Sequence, residues 1–297
     1  MKHFINLNDF NSNQLNKIID NAIVLKKQHK ANILNTELQH KTLAMIFDKS
    51  STRTRVSFEA GMTQLGGHSI FLSNNDTQLG RGEVISDSAK VISSMVDFVM
   101  LRVSSHRDIE EFAKNSRVPV INALSDESHP CQLLADLMTF KESVGDISGK
   151  TICYVGDGNN MANTYAQAAQ IFDFKLNIAS PNGYEITDKF KNDNTKLFNN
   201  IIDACQNVDL IVTDVWSSMG QEGEQNKRET AFKDFQVQTK HLDAAKNEVI
   251  FMHCLPAHRG EEVDAEVIDG GRSVVFAEAE NRLHAQKSLL LFLNDYK

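Results

Sequence analysis

Short apolar runs alternate with amphipathic stretches along this 297-residue chain, and the alternation restarts once, after Ser148-Gly149-Lys150. In the first half, strand character is read at Thr42 to Phe47, Ser69 to Leu72, Phe98 to Leu101 and Val118 to Ile121. Helical spacing is read over Leu15 to Leu25, through Phe58, Met62 and Leu65, over Ile85 to Met95, over Ile109 to Ala113, and from Leu133 onward. In the second half, strands are expected at Thr151 to Val155, Lys175 to Ala179, Leu210 to Thr213, Val249 to Met252 and Val274 to Phe276. Helices are expected at Ala162 to Phe172, Leu197 to Ala204, Glu229 to Phe235 and from about Ala279 to Leu293. Strands separated by helices pair in parallel through crossovers, with helices on both faces. The expected fold is therefore α/β with two domains, each a parallel sheet with helices on both faces. Chain length agrees, because a single core stops growing beyond about 250–300 residues.

Charge narrows the class of ligand. The formal net charge is −8 and the pI about 5.7, which argues against a broad nucleic-acid surface. A few arginines can still build a positive pocket for a small anion. The four cysteines, Cys131, Cys153, Cys205 and Cys254, include no C-x-x-C pair, so no zinc knuckle or dithiol site is expected. Their scatter fits a reducing cytoplasm. The start, Met1 to Asp9, has no apolar core of a signal peptide, and no stretch reaches the length of a membrane span. A cytoplasmic protein with no membrane partner is the expectation.

In open parallel sheets, ligands bind beyond the carboxyl ends of the strands. Each polar motif here follows an expected strand. The first is Ser51-Thr52-Arg53-Thr54-Arg55, at the start of a helix. Unbonded N–H groups and the helix dipole favour an anion there, and Arg53 adds a fork suited to phosphate. Read alone, the segment reads first as a helix cap with a solvated basic turn, in which Arg55 pairs with Glu59. The second motif is Ser128-His129-Pro130-Cys131-Gln132. Pro130 suits a first helical position, so His129 and Gln132 stand at the helix start. Histidine can donate to a carbonyl and glutamine can read an amide, while Cys131 reads as a packed thiol.

The third motif, Gly156-Asp157-Gly158-Asn159-Asn160-Met161-Ala162-Asn163, lacks the last glycine of a dinucleotide fingerprint. Its asparagines read either as an amino-acid head-group site or as turn residues. The fourth, Asp214 to Glu222, contains an acid fit for an ammonium group and reads otherwise as a surface loop or a mobile lid. The fifth is His253-Cys254-Leu255-Pro256-Ala257-His258-Arg259-Gly260-Glu261-Glu262. The spacing of His253, Cys254 and His258 matches no common zinc site, and no metal or other cofactor is expected. A Cys–His nucleophilic pair is disfavoured, because neighbours on an extended strand end face opposite ways.

In this order, from Phe47 to Arg282, the motifs resemble the aspartate and ornithine carbamoyltransferase family. Ser51 to Arg55 and His129-Pro130-Cys131-Gln132 look like both branches. Lys49, Gly156 to Asn160, Asp214 to Glu222 with Ser218-Met219-Gly220-Gln221-Glu222, and His253-Cys254-Leu255-Pro256 look like the ornithine branch. Val215-Trp216-Ser217 departs from the usual pattern but leaves Asp214 and Ser218 in place.

The resemblance implies transfer of a carbamoyl group from carbamoyl phosphate to the δ-amine of L-ornithine. It implies a carbamoyl-phosphate domain over residues 1–147, an ornithine domain over 148–277, and a helix over 278–297 returning to the first. It further implies that Ser51, Thr52, Arg53 and Thr54 bind phosphate and that Arg102 reaches the phosphate and carbonyl. His129 donates to the carbonyl oxygen, with Pro130 and Cys131 beside it, and Gln132 holds the carbamoyl amide. Gln78 would come from a neighbouring subunit of a homotrimer. Asn160, Asp214, Ser218 and Met219 line the amino-acid site, and Cys254, Leu255 and Arg282 close the pocket. Arg102, His129, Asp214 and Cys254 are the expected catalytic residues.

Overall fold

The structure, a computed structural model, describes residues 2–73, 82–217 and 225–295. Gln78, Ser218 and Met219 lie outside the described residues. The chain forms two compact units, Met1–Met138 with Glu280–Lys297, and Thr139–Ala279.

In the first unit, α1 (Ser12–Lys30) begins at a reciprocal cap. The Asn11 side chain accepts from the Gln14 N–H, and the Gln14 side chain accepts from the Asn11 N–H. Leu15, Ile18, Ile19, Ala22 and Leu25 form its buried stripe. The chain continues through β1 (Thr42–Phe47), α2 (Thr52–Gln64), β2 (His68–Ser73), α3 (Ile85–Ile92), β3 (Phe98–Arg102), α4 (His106–Asn115) and β4 (Val120–Leu124) into α5 (Pro130–Ser143). The strands make a parallel sheet in the order β2-β1-β3-β4. The central strands are apolar and buried almost throughout, as both faces of a parallel sheet require. Phe47 lies opposite Arg102, and Arg102 opposite Leu124 after a register shift at Leu101/Arg102. The segments following β1, β3 and β4 thus leave one edge of the sheet side by side.

In the second unit the elements are β5 (Thr151–Val155), α6 (Asn160–Phe172), β6 (Lys175–Ala179), β7 (Thr195–Phe198), α7 (Ile201–Ala204), β8 (Leu210–Thr213), α8 (Gln225–Phe232), α9 (Thr239–Ala244), β9 (Ile250–His253), α10 (Ala265–Ile268) and the start of α11 (Val275–Asn294). The parallel sheet order is β7-β6-β5-β8-β9. Its core includes Ile211, Phe251, Phe232 and Val267. Val155, Thr213 and His253 are mutual register partners, so Gly156, Asp214 and Cys254 emerge together. In each sheet the winding direction reverses once, between β1 and β3 and between β5 and β8, which opens a crevice at the carboxyl edge.

Five expected elements differ. The helix expected at Glu229 to Phe235 spans Gln225–Phe232. The helix from Ile85 stops at Ile92, where the Ser94 hydroxyl bonds the Val91 carbonyl instead of continuing the helix. The strand expected at Val118 starts at Val120, because the Ser116 hydroxyl binds both the N–H and the carbonyl of Val118. Leu197 to Ala204 is not one helix: Thr195–Phe198 pairs with β6 as an edge strand, and α7 starts only at Ile201. Val274 to Phe276 is not a strand. The Val274 N–H bonds Phe251, and the chain then turns into α11. In both latter cases a short apolar run has no decisive period, and its neighbours choose its form.

His284, on α11, is 0% exposed and neither ring nitrogen has a hydrogen-bond partner. Burial, then the charges of Lys287, His29, Lys26 and Lys30, push its pKa down to about 3. The unfolded chain takes up a proton below pH about 6.5 that the folded chain refuses, so this site subtracts stability as pH falls from about 6.5 to 3. Lys26 is half-buried and His29 and Lys30 are exposed, so their share is screened by solvent. His284→Leu is expected to recover about 1–2 kcal/mol at pH 4 relative to pH 7. Urea midpoints across that pH range measure it, and an unchanged acid-side slope would assign the loss elsewhere.

Candidate active site

The first unit assembles a cationic cradle at the carboxyl edge of its sheet. Ser51 is the N-cap of α2, its side chain accepting from the Thr54 N–H at 3.3 Å. Thr52, Arg53 and Thr54 form the first turn, with Arg53 half-buried and Thr54 buried. Arg102, at the end of β3, donates to the Thr54 hydroxyl at 3.5 Å, and Arg282 of α11 donates to the same hydroxyl at 3.3 Å. Arg282 also donates to the Gln132 carbonyl oxygen at 2.5 Å, and the Gln132 amide nitrogen donates to Asp136 at 2.8 Å. These residues are far apart in sequence; sheet order brings the segments after β1, β3 and β4 together, and α11 adds Arg282.

His129 precedes α5, whose first residue is Pro130. The turn before it is held by the Ser125 N–H on the Ser128 carbonyl, the Ser128 N–H on the Ser125 hydroxyl, and the Asn122 amide on the Ser128 hydroxyl. His129 is buried. Burial, then Arg282, Arg102 and Arg53, hold its imidazole well below the usual histidine range. It is therefore a neutral polar group ringed by three guanidinium groups. A neutral imidazole can still donate one hydrogen bond. Cys131 donates to the Asn122 carbonyl at 3.3 Å, and burial pushes its pKa up to about 12, so its side chain packs as a thiol. Arg55 does not join the cradle contacts. It pairs with Glu59 at 2.9 Å and lies over the Phe71 ring.

The second unit assembles a polar group after β5, β8 and β9. Asn159, not Asn160, caps α6: its side-chain oxygen accepts from the N–H groups of Met161 and Ala162 and from the Tyr154 hydroxyl. The Asn159 amide donates to Asp214 at 2.9 Å. Asp214 also accepts from the Val215 N–H and from the Cys254 thiol at 3.2 Å. Asn160 is the first residue of α6, beside this group in sequence. Gly158 must be glycine, because a Cβ there would lie 2.4 Å from the backbone between Glu185 and Ile186. Leu255 adopts a left-handed φ of 55° and donates its N–H to His253 Nδ1 at 2.9 Å. His253 Nε2 faces Glu262 at 3.0 Å, so Cys254 and His253 are turned to different partners and form no nucleophilic pair.

Burial, then Asp214, Asp157 and Cys254, push the Tyr154 hydroxyl well above the usual phenol range, so Tyr154 stays a donor. Tyr154 is not marked by the sequence as part of this group, and Asn159 is marked only as one of several asparagines of its motif. The only local signal was the Asn159-Asn160 pair ahead of a helix, where either residue suits a cap. Of the expected site residues, Ser51, Thr52, Arg53, Thr54, Arg102, His129, Pro130, Cys131, Gln132 and Arg282 are in the first unit, and Asn160, Asp214, Cys254 and Leu255 are in the second.

Residues 2–142 match the family described as aspartate/ornithine carbamoyltransferase, carbamoyl-P binding domain. Residues 148–293 match its Asp/Orn binding domain. The chain is 63% identical over 297 residues to an ornithine carbamoyltransferase of Ruthia magnifica subsp. Calyptogena magnifica, covering 99% of each chain. It is 57% identical over 296 residues to one of Hydrogenovibrio crunogenus, covering 99% of this chain and 98% of that one. Among solved structures, the ornithine carbamoyltransferase of Pyrococcus furiosus aligns with a TM-score of 0.94 at 46% identity, covering 98% of this chain and 96% of that one. With both halves matched and relatives this similar over their full length, the chain belongs to the aspartate/ornithine carbamoyltransferase family.

Proposed function

We propose that the chain transfers the carbamoyl group of carbamoyl phosphate to the δ-amine of L-ornithine, giving L-citrulline and phosphate. The observation that carries this reading is the first-unit cradle. Three guanidinium groups converge on a helix start and on an imidazole held neutral. The names of the relatives support ornithine as acceptor.

In this reading Ser51, Thr52, Arg53 and Thr54 grip the phosphate, and Arg102 and Arg282 neutralise its remaining charge. His129 donates to the carbamoyl oxygen. Gln132, oriented by Arg282 and Asp136, reads the carbamoyl nitrogen. Asp214 takes the α-ammonium of ornithine, with Asn160, Ser218 and Met219 around the amino acid and Cys254 and Leu255 beside it. The δ-amine, with an ordinary pKa near that of lysine at about 10.4, must lose a proton before attack. Fixed cations beside it lower that value. The neutral amine forms a C–N bond to the carbamoyl carbon, and negative charge develops on the carbonyl oxygen. Arg102, His129 and Thr54 are the groups to stabilise it, as an oxyanion hole does. Cleavage of the C–O bond then releases phosphate into the cradle, and the leaving phosphate takes the proton that the attacking nitrogen must lose. Positioning and electrostatics carry the acceleration, and no covalent enzyme intermediate is needed.

Residues 1–147 serve carbamoyl phosphate, residues 148–277 serve ornithine, and 278–297 return Arg282 to the first. The enzyme is a cytoplasmic homotrimer acting in arginine biosynthesis, with Gln78 supplied by a neighbouring subunit. The exposed apolar side chains Val56, Ile70, Val84, Val91 and Met95 favour such an assembly. The free thiols favour a reducing compartment: the Cys205 thiol donates a hydrogen bond to Cys153 Sγ at 3.6 Å.

The test supplies carbamoyl phosphate with ornithine, aspartate or putrescine in parallel and measures phosphate and ureido product. Turnover with ornithine alone is expected. Turnover with aspartate alone would overturn the acceptor, and no turnover with any amine would overturn the activity.

A further inference from the structure

Beyond the active site, the loop between β9 and α10 gathers His258, Glu261 and Glu262, whose ligand atoms all lie within 4.8 Å of one another. His258 Nδ1 stands 3.6 Å from Glu261 Oε2 and 3.8 Å from Glu262 Oε2. The turn that brings them together is built locally. The Glu261 N–H bonds the His258 carbonyl, and Gly260 takes a φ of 91° at the position where such a turn requires glycine. Arg259, between them in sequence, is turned away into a two-bond pair with Asp269 at 2.8 and 2.6 Å.

Glu262 supplies the second observation. Its side chain is 0% exposed. Oxygen Oε1 is satisfied by His253 Nε2 at 3.0 Å and by the His258 N–H at 2.7 Å. Oxygen Oε2, buried and facing His258 Nδ1, has no hydrogen-bond partner. A buried carboxylate oxygen without a partner is costly, and a cation offsets that cost. His253 Nδ1 accepts from the Leu255 N–H, which leaves Nε2 as the nitrogen facing Glu262. Two carboxylates and one neutral imidazole balance a doubly charged ion.

We propose that His258 Nδ1, Glu261 and Glu262 Oε2 form a binding site for a divalent first-row transition ion of the zinc class, with water completing its shell. Metal–ligand bonds of about 2.0–2.2 Å require ligand atoms about 3–3.5 Å apart, which small rotations of the exposed His258 and half-exposed Glu261 provide. The second grouping in this unit, Asp214, His253 and Cys254, is a poorer site, because both ring nitrogens of His253 are already bonded. An ion at Glu262 Oε2 would act through Glu262 and His253 on the Leu255 N–H, and so on the segment carrying Cys254.

Co2+ alone, titrated into the full chain and followed by calorimetry and absorbance, tests this. A single ion is expected to bind with no thiolate-to-metal charge-transfer band, and to bind equally to Cys254→Ser. His258→Ala and Glu261→Gln, both at solvent-facing positions, should each weaken binding by at least about tenfold with unchanged circular dichroism. Absence of Co2+ binding, unchanged affinity in His258→Ala, or loss of binding in Cys254→Ser with a thiolate band in the unsubstituted chain would each overturn the site.

Discussion

Arg102→Met is expected to lower kcat by about 10²–10³-fold while the fold survives. Arg102 is 8% exposed and ends β3 at a register shift that aims it into the cradle. Methionine keeps much of the packed volume of the side chain but removes the charge. The loss should fall on kcat more than on the ornithine KM, because in the proposed mechanism the charge facing Arg102 grows on the carbonyl oxygen only as the amine adds. Steady-state kinetics in both substrates measure the split. A variant that raises KM for carbamoyl phosphate but keeps kcat would make Arg102 a ground-state phosphate contact only. His129 should gain basicity in the same variant, because Arg102 is one of the cations that hold it neutral. NMR titration of that ring reads this shift independently of turnover.

Arg228→Met should lower stability by about 3–5 kcal/mol, or the melting temperature by roughly 10 °C. Arg228 and Asp157 form a buried ion pair at 2.7 Å, with side chains 8% and 11% exposed. Arg228 also donates to the Trp216 carbonyl at 2.9 Å and lies over the Tyr184 ring. Burial raises the Asp157 pKa, and the Arg228 pairing offsets part of that rise. Without Arg228 a carboxylate is left buried beside Asp214. The deficit is complete above the raised Asp157 pKa and shrinks as pH falls through it, because the protonated acid carries no charge to bury. Asp157→Asn combined with Arg228→Met should recover a large part of the loss. If the double variant is as unstable as the single one, packing around Tyr184 and Trp216 carries the effect instead. Urea unfolding at pH 8 and pH 5 separates these outcomes.

The carboxyl-edge motifs were legible because strands buried on both faces read as short apolar runs, and each run is followed by its polar residues. Thr42 to Phe47 and Thr151 to Val155 are such runs, and the structure keeps both bounds. Thr195 to Phe198 was not legible as a strand. It lies at a sheet edge, carries exposed lysine and leucine, and is strand only through its pairing with β6. Asn159 was not separable from Asn160, because both suit a helix start and only the β5–β8 register brings Asp214 to the Asn159 amide.

By itself, the sequence determined two α/β halves and the motifs that carry the family resemblance. These depend on local period and on residues a few positions apart. Only the tertiary structure decided which distant residues meet: Arg282 with Gln132 and Thr54, Cys254 with Asp214, Arg228 with Asp157, and His253 with Glu262. The physical reason is that strand order, not chain distance, sets where the strand-end segments meet, and helices α8 and α11 carry Arg228 and Arg282 to them. A parallel sheet places the ends of β1, β3 and β4, or of β5, β8 and β9, side by side whatever the length of chain between them.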